Sequence, residues 1–390
     1  MVPRTLTAAL ETAVRSFPVV TVTGPRQSGK TTLLRATFPD YHYVNLEAVD
    51  QRRIAEEDPR GLVGRHMERG IVIDEAQRVP DLFSYVQTIV DEHQTIGKVI
   101  LSGSQHFLLL EQITQSLAGR AMILHLHPFT VLELPAVLSK PVDAVMFSGM
   151  YPPLHDRMIA PSAFYPTYIQ SYVERDVRSV RNVGDLSTFS RFLQLCAGRI
   201  GSLLNLSALA NELGVDHKTV RAWLSVLEAS FVVFLLPPYH RNYNKRVVKQ
   251  PKLYFYDTGL ACSLLGLESE HQLSTHYLRG GVFENFVVAE YRKIVEHSGR
   301  RPHMYFWRDN TGTEVDLVVE HGPDVAAVEI KSGATLNREF TRSLRKFQSY
   351  SGISPERCHL VYGGELEHTG ETARTWSWRH LPEWADTVSR

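Results

Sequence analysis

Cysteine is scarce in this chain. Three occur in 390 residues, Cys196, Cys262 and Cys358, far apart and without CxxC spacing, which argues against a disulfide framework or a zinc module and points to a reducing compartment. An excess of charge of either sign is also missing. Lys plus Arg and Asp plus Glu both number 42, so the whole molecule does not announce a polyanionic partner and any nucleic-acid surface has to be local. No run approaches the roughly 18 apolar residues of a membrane span, and "MVPRTLTAALETAVRSFP" has no apolar core of signal-peptide length. The expectation is a cytoplasmic, soluble protein. Low-complexity tracts and internal repeats are absent, and the 20 prolines are spread out. What is present is a globular composition, 43% hydrophobic and 22% charged, at a length that calls for about two to four domains.

"FPVVTVTGPRQSGKTTLLRATF" runs from a β-branched apolar stretch through a glycine-bounded loop into a helical pattern. Within it Gly24, Gly29, Lys30 and Thr31 match GxxxxGK[ST], the P-loop. Glycines let the backbone N–H groups face phosphate oxygens, and the helix N-terminus adds a favourable field. Gly24, Pro25, Arg26, Gln27, Ser28, Gly29, Lys30, Thr31 and Thr32 are thus expected to cradle ATP, Lys30 reaching the β and γ phosphates and Thr31 meeting Mg2+. "RGIVIDEAQ" has the pattern of a buried strand delivering carboxylates at its C-terminal end. Asp74 is expected to act on Mg2+ and Glu75 to orient or deprotonate the attacking water. A further short strand in "GKVILSGSQHF" ends at Ser102 and Ser104, either of which could contact the γ phosphate or the water. Arg120 follows a helix end at Gly119 and has two readings: a finger reaching a neighbouring subunit's nucleotide, or a cation favoured at a helix C-terminus.

Farther on, "NLSALANELGVDHKTVRAWLSVLEASFVVFLLPPY" predicts a helix ending at Gly214, a second helix capped by Asp216, and a buried stripe of Val220, Trp223, Leu224 and Leu227. With the β-branched and aromatic run that follows, this is the pattern of a winged helix-turn-helix. His217, Lys218 and Arg221 lie off the stripe and could meet DNA. "PYHRNYNKRVVKQPKLYFY" carries Arg241, Lys245, Arg246, Lys249 and Lys252, interleaved with tyrosines and without an acid. Its cations could neutralise phosphates while its rings stack on unpaired bases. The other reading is a wing hairpin with inward tyrosines and solvated charges.

The C-terminal segment places Glu284 near the start of a predicted helix, Glu314 and Asp316 on one face of the second strand of a hairpin turning at Thr311-Gly312, and Glu329 and Lys331 two apart in "AVEIKSG". Helix Glu, strand Asp and Glu-x-Lys is the order of the PD-(D/E)xK nuclease core. Hydrolysis of a phosphodiester needs a metal-held hydroxide and charge neutralisation. Asp316 and Glu329 would be the primary ligands, Glu284 a water-mediated or second-metal ligand, and Lys331 would position the water. Oxygen donors suit Mg2+ or Mn2+. Two other readings stay open, a strand salt bridge and a retained fold that binds without cutting.

"GPRQSGKTTLL", "IVIDEAQ", "LSGSQHFLL", "LAGR" and later "SYVERDV", "YFYDTGLACSLLG" and "FENFVVAEY" together resemble the bacterial and archaeal AAA-type ATPases whose C-terminal half is a domain of unknown function related to restriction-endonuclease-like folds. That resemblance implies a multidomain α/β chain: a parallel-sheet P-loop NTPase core over 1–135, a helical lid over 136–195 from which Arg175 or Arg178 could sense nucleotide, a winged helix-turn-helix with a basic hairpin over 196–265, and a restriction-endonuclease-like α/β domain over 266–390. It also implies work as a ring or dimer. The function expected is an Mg-dependent ATPase acting on nucleic acid, with possible metal-dependent DNA cleavage. The alternative is a non-cleaving nucleotide switch that binds proteins.

Overall fold

A computed structural model describes residues 2–104, 112–113, 115–173, 186–240 and 250–389. Arg175, Arg178, Arg241, Lys245, Arg246 and Lys249 lie outside the described residues. The chain divides into two compact units, one made of Met1–Pro128 with Ala229–Phe231 and Glu296–Arg300, the other of the remainder.

In the first unit β1 (Val19–Thr23), β2 (His42–Asn45), β3 (Ile71–Asp74), β4 (Val99–Gly103) and β5 (Ala121–His125) form a sheet of order β2-β3-β4-β1-β5, parallel at every pairing. Alternation along the strands sends side chains to opposite faces. Ile71, Ile73, Val99 and Leu101 join Phe83, Val86 and Ile89 of the helix Leu82–His93 in one core. Val20, Val22, Val72 and Ile100 join Leu6 and Leu10 of the helix Leu6–Ser16 and Leu33 and Leu34 of the helix Lys30–Thr37 in the other. A sheet buried on both faces explains why these strands read as continuous apolar runs. All five strands point the same way, so the loops that follow β1, β3 and β4 share one edge of the sheet.

The second unit begins with short helices, among them Val142–Ser148 and Pro161–Tyr168. Helices Leu206–Leu213 and His217–Ala229 follow, joined through Gly214 in the left-handed region at φ 69°. Asp216 accepts hydrogen bonds from the backbone of Lys218 and Thr219, and Val220, Trp223, Leu224 and Leu227 form the buried stripe of the second helix. An antiparallel pair comes next, β6 (Val233–Leu236) with β7 (Lys252–Phe255). The helix Arg279–His297 docks on β7 through Asn285, whose amide accepts from Phe255 N at 2.6 Å and donates to Phe255 O at 2.9 Å.

The unit closes with a six-stranded mixed sheet of order β12-β13-β11-β10-β9-β8, comprising β8 (Met304–Arg308), β9 (Glu314–His321), β10 (Asp324–Lys331), β11 (Cys358–Tyr362), β12 (His368–Thr369) and β13 (Arg374–Ser377). β8, β9 and β10 run antiparallel in sequence, whereas β10 pairs with β11 and β11 with β13 in parallel. The helix Arg342–Ser351 buries Leu344 and Phe347 in a core with Val318, Ala327 and Trp307.

Candidate functional site

The loop after β1 turns back on itself before entering the helix at Lys30. Gly24 has φ 153°, and a Cβ there would stand 2.1 Å from the Leu126 carbonyl oxygen, so no other residue fits between the loop and the chain leaving β5. Gly29 takes φ 95° at the start of the helix, a conformation that leaves the helix N-terminus open toward the loop. The Lys30 ammonium is buried and donates to the carbonyls of Gly24 at 2.9 Å and Pro25 at 2.8 Å. Arg4 fixes the outer side of the loop, donating at 2.7 Å both to Ser28 O and to His127 O.

Asp74 and Glu75 stand at the end of β3. Asp74 Oδ2 accepts from Thr31 Oγ1 and from Tyr43 Oη, each at 2.6 Å, and its other oxygen accepts from Ser102. Burial, and next the hydrogen bond to Asp74, push the Tyr43 hydroxyl well above its usual range, which keeps it a donor. Glu75 adopts a left-handed backbone at φ 56°. Its carboxylate accepts from Gln77 Nε2 at 2.6 Å and from Ser104 Oγ at 3.2 Å. The two serines therefore divide: Ser102 serves Asp74 and Ser104 serves Glu75. The structure thus brings Lys30, Thr31, Asp74, Glu75 and Ser104 to the shared strand edge. Tyr43, Ser102, Gln77 and Arg4 complete the array, and the sequence reading missed Tyr43, Gln77 and Arg4.

Arg120 is elsewhere. It precedes Ala121, the partner of Val19 at the opposite end of β1, about 13 Å of strand away from the loop at 3.3 Å per residue. Its guanidinium makes a bidentate pair with Asp91 at 2.7 and 2.8 Å. A contact with the nucleotide of its own chain is excluded by this placement.

In the second unit Glu284, Glu314, Asp316, Glu329 and Lys331 belong to one network of ion pairs, of which Lys252 is an unforeseen member. Lys252 of β7 is 2% exposed, and its Nζ lies 2.8 Å from Glu284 Oε1, 2.5 Å from Glu314 Oε1 and 4.0 Å from Asp316 Oδ1. Tyr254 donates to Glu284 at 2.5 Å, Ile330 N to Asp316 at 2.8 Å and Ser343 to Glu329 at 2.6 Å. Lys331 pairs with Glu329 and sits 3.5 Å from Asp316. Burial raises the Glu284 carboxyl to about 7 and the Glu329 carboxyl to about 8. Burial works against the Lys252 ammonium, yet the negative groups around it, Glu284, Asp316 and Glu314 among them, hold its pKa well above the usual range. Among the described residues, no group of three His, Cys, Asp or Glu side chains is arranged to hold a metal ion.

These positions correct the expectation for Lys252 and for the described tyrosines of that segment. Lys252 is a buried counter-ion and not a solvated phosphate contact, because β7 directs it inward onto Glu284 and Glu314. Tyr239, Tyr254 and Tyr256 are buried and cannot stack on bases; Tyr239 packs edge-on against Tyr305 and Phe347. His217, Lys218 and Arg221 are exposed at the start of their helix.

Comparison with known proteins places residues 16–134 in an AAA domain family and matches 139–271 and 279–380 to two domains of unknown function, DUF8612 and DUF4143. Uncharacterized protein Rv2008c of Mycobacterium tuberculosis and uncharacterized protein Mb2031c of Mycobacterium bovis are each 32% identical to the chain over 371 residues, covering 93% of it and 80% of the relative. The chain belongs to their family. This chain thus carries an AAA-type, P-loop ATPase-like domain followed by these two further domains. Among solved structures, the Walker-type ATPase PABY2304 of Pyrococcus abyssi is 15% identical with a TM-score of 0.42, covering 66% of this chain and 94% of that one. The RuvB Holliday junction branch migration motor of Thermotoga maritima is 18% identical with a TM-score of 0.32, covering 68% and 94%. Among the described residues no helix is long and apolar enough to cross a membrane.

Proposed function

We propose that the family is one of Mg-dependent ATP hydrolases whose turnover drives action on nucleic acid. The observation that carries the hydrolase reading is the 2.6 Å hydrogen bond between Thr31 and Asp74, which joins the P-loop hydroxyl to the carboxylate of the neighbouring strand. These oxygen donors suit a hard ion, so Thr31 and Asp74 would hold Mg2+, which supplies charge neutralisation to the transferred phosphoryl group. Lys30 and the backbone N–H groups of Gly24 and 26–32 bind and orient the phosphates. Glu75, aimed by Gln77 and Ser104, positions the attacking water and takes its proton. Lys30→Ala should abolish ATP binding and turnover together; turnover that survives it removes the assignment. Arg120 acts in trans in this reading, so Arg120→Ala should lose turnover at concentrations where subunits associate. Full turnover at every protein concentration would remove that role.

The nucleic-acid reading is supported by exposed His217, Lys218 and Arg221 at the start of the second helix of a helix-turn-helix, the part of a winged helix that reads a groove. Charge reversal at Lys218 and Arg221 should weaken DNA binding and flatten its salt dependence. The second reading, a nucleotide-dependent switch that binds proteins through its C-terminal domains without cutting, is favoured by one observation: Glu284 and Asp316 face a lysine of the chain itself, Lys252. Incubating linear, circular and single-stranded DNA with Mg2+ or Mn2+ tests it. Cleavage that disappears in Glu329→Ala would overturn it.

A further inference from the structure

Two buried carboxylates, Asp316 and Glu329, beside two half-buried ones, Glu284 and Glu314, need positive charge, because an ionised carboxylate in a protein interior costs several kcal/mol and is neutralised or paired instead. In this cluster the charge comes from the chain itself. Lys252 enters from β7 and meets Glu284 on the helix Arg279–His297 and Glu314 on β9, with Asp316 next in reach. Lys331 closes the other flank on Glu329 and Asp316, and Arg308 shares Glu314 at 3.4 Å.

A divalent ion liganded by both Glu284 and Asp316 has to lie between their oxygens with bonds of about 2.0–2.6 Å. The Lys252 ammonium borders that space, hydrogen-bonded at 2.8 Å to Glu284 and 4.0 Å from Asp316, while Lys331 covers the side of Asp316 that faces Glu329. An ammonium and a divalent cation cannot share that space, since like charges a few ångströms apart in a low-dielectric interior repel strongly. Leaving is also costly for Lys252. Its strand is fixed on both sides, by Leu235 and Leu236 of β6 and by the Asn285 clamp on Phe255.

We propose that Lys252 is the resident cation of the C-terminal carboxylate cluster, standing in place of a divalent metal and tying β7 to the helix Arg279–His297 and to β9. The cluster retains the residue order of a metal-dependent nuclease core while its charge is balanced internally. This inference rests on the non-cleaving reading given above, and the two fail differently.

The test is Mn2+ titration of the full chain without nucleotide, followed by electron paramagnetic resonance, in an Asp74→Asn background that removes the other carboxylate expected to meet metal. The parent should bind no Mn2+ that depends on Asp316. Lys252→Met should bind Mn2+ at least about tenfold more tightly than the parent, a gain of ~1.4 kcal/mol, and adding Asp316→Asn should remove it. Mn2+ bound by the parent and lost with Asp316→Asn would overturn the proposal, as would a folded Lys252→Met that binds no better. Should Lys252→Met not fold, the parent against Asp316→Asn still decides, and Lys252→Arg should bind no Mn2+. Mn2+ binding without DNA cleavage sinks this inference alone; cleavage sinks the non-cleaving reading.

Discussion

Replacing Lys252 with methionine keeps the apolar stem, one atom shorter, and deletes its charge, so the effect on stability follows mainly from the carboxylates left behind. Breaking a buried ion pair from one side costs about 3–5 kcal/mol, because the remaining charge is uncompensated. The cost depends on pH. Glu284 has a folded pKa raised to about 7 by burial, despite Lys252 beside it, against ~4.3 when unfolded. A carboxyl raised on folding is bound to its proton longer in the native state, so stability falls as pH rises from ~4.3 toward the folded value. Deleting Lys252 raises that value further, so the variant goes on losing stability above pH 7 where the parent has levelled off. The expected loss is about 3–5 kcal/mol at pH 8 and roughly half that at pH 5.5, where Glu284 is already largely protonated. Urea denaturation followed by tryptophan fluorescence measures it cleanly: all five tryptophans, Trp223, Trp307, Trp376, Trp378 and Trp384, belong to the second unit. Adding Glu284→Gln should recover part of the loss at pH 8 and little at pH 5.5. Equal losses at both pH values, or a loss under about 1 kcal/mol at pH 8, would refute the assignment of Lys252 as a buried counter-ion.

Two further outcomes concern the P-loop edge. Tyr43→Phe removes a 2.6 Å hydrogen bond to Asp74, and bonds to charged groups are worth about 1.5–3 kcal/mol before any replacement by water. The Mg2+ concentration for half-maximal ATP turnover should rise about threefold to tenfold while turnover at saturating Mg2+ changes little; an unchanged Mg2+ requirement would detach Tyr43 from the site. Gly24→Ala places a Cβ 2.1 Å from the Leu126 carbonyl oxygen at φ 153°, and backbone strain of this kind costs about 1–3 kcal/mol. Nucleotide binding should be lost and the thermal midpoint of the first unit lowered, and a variant with parental binding would show that the loop has room that its packing denies.

The parts of this account legible in the sequence are those encoded locally. The P-loop, the Asp74-Glu75 strand end and the stripe Val220, Trp223, Leu224 and Leu227 each occupy one short window, where spacing along the chain equals placement in space. Contacts made across the fold were not legible. Tyr43 reaches Asp74 from an adjacent strand, 31 residues back, and Arg4 holds a loop 24 residues on. Lys252 looked like one more cation of a basic hairpin, although a signal was present in "PKLYFY". A lysine two residues before a tyrosine, inside an apolar aromatic run, lies on the same strand face as that ring, and Tyr254 and Lys252 both meet Glu284. The carboxylate order Glu284, Asp316, Glu329 says nothing of Lys252, because the lysine comes from a separate sheet.

The measurement that tests the central claim most directly is steady-state ATP hydrolysis by the parent and by Glu75→Gln, with nucleotide binding measured alongside. The account predicts Mg-dependent turnover in the parent, a fall of at least about a hundredfold in Glu75→Gln as expected for loss of a general base, and ATP binding retained because Lys30 and the loop amides are untouched. Turnover unchanged in Glu75→Gln, or a parent that binds no nucleotide, would contradict it.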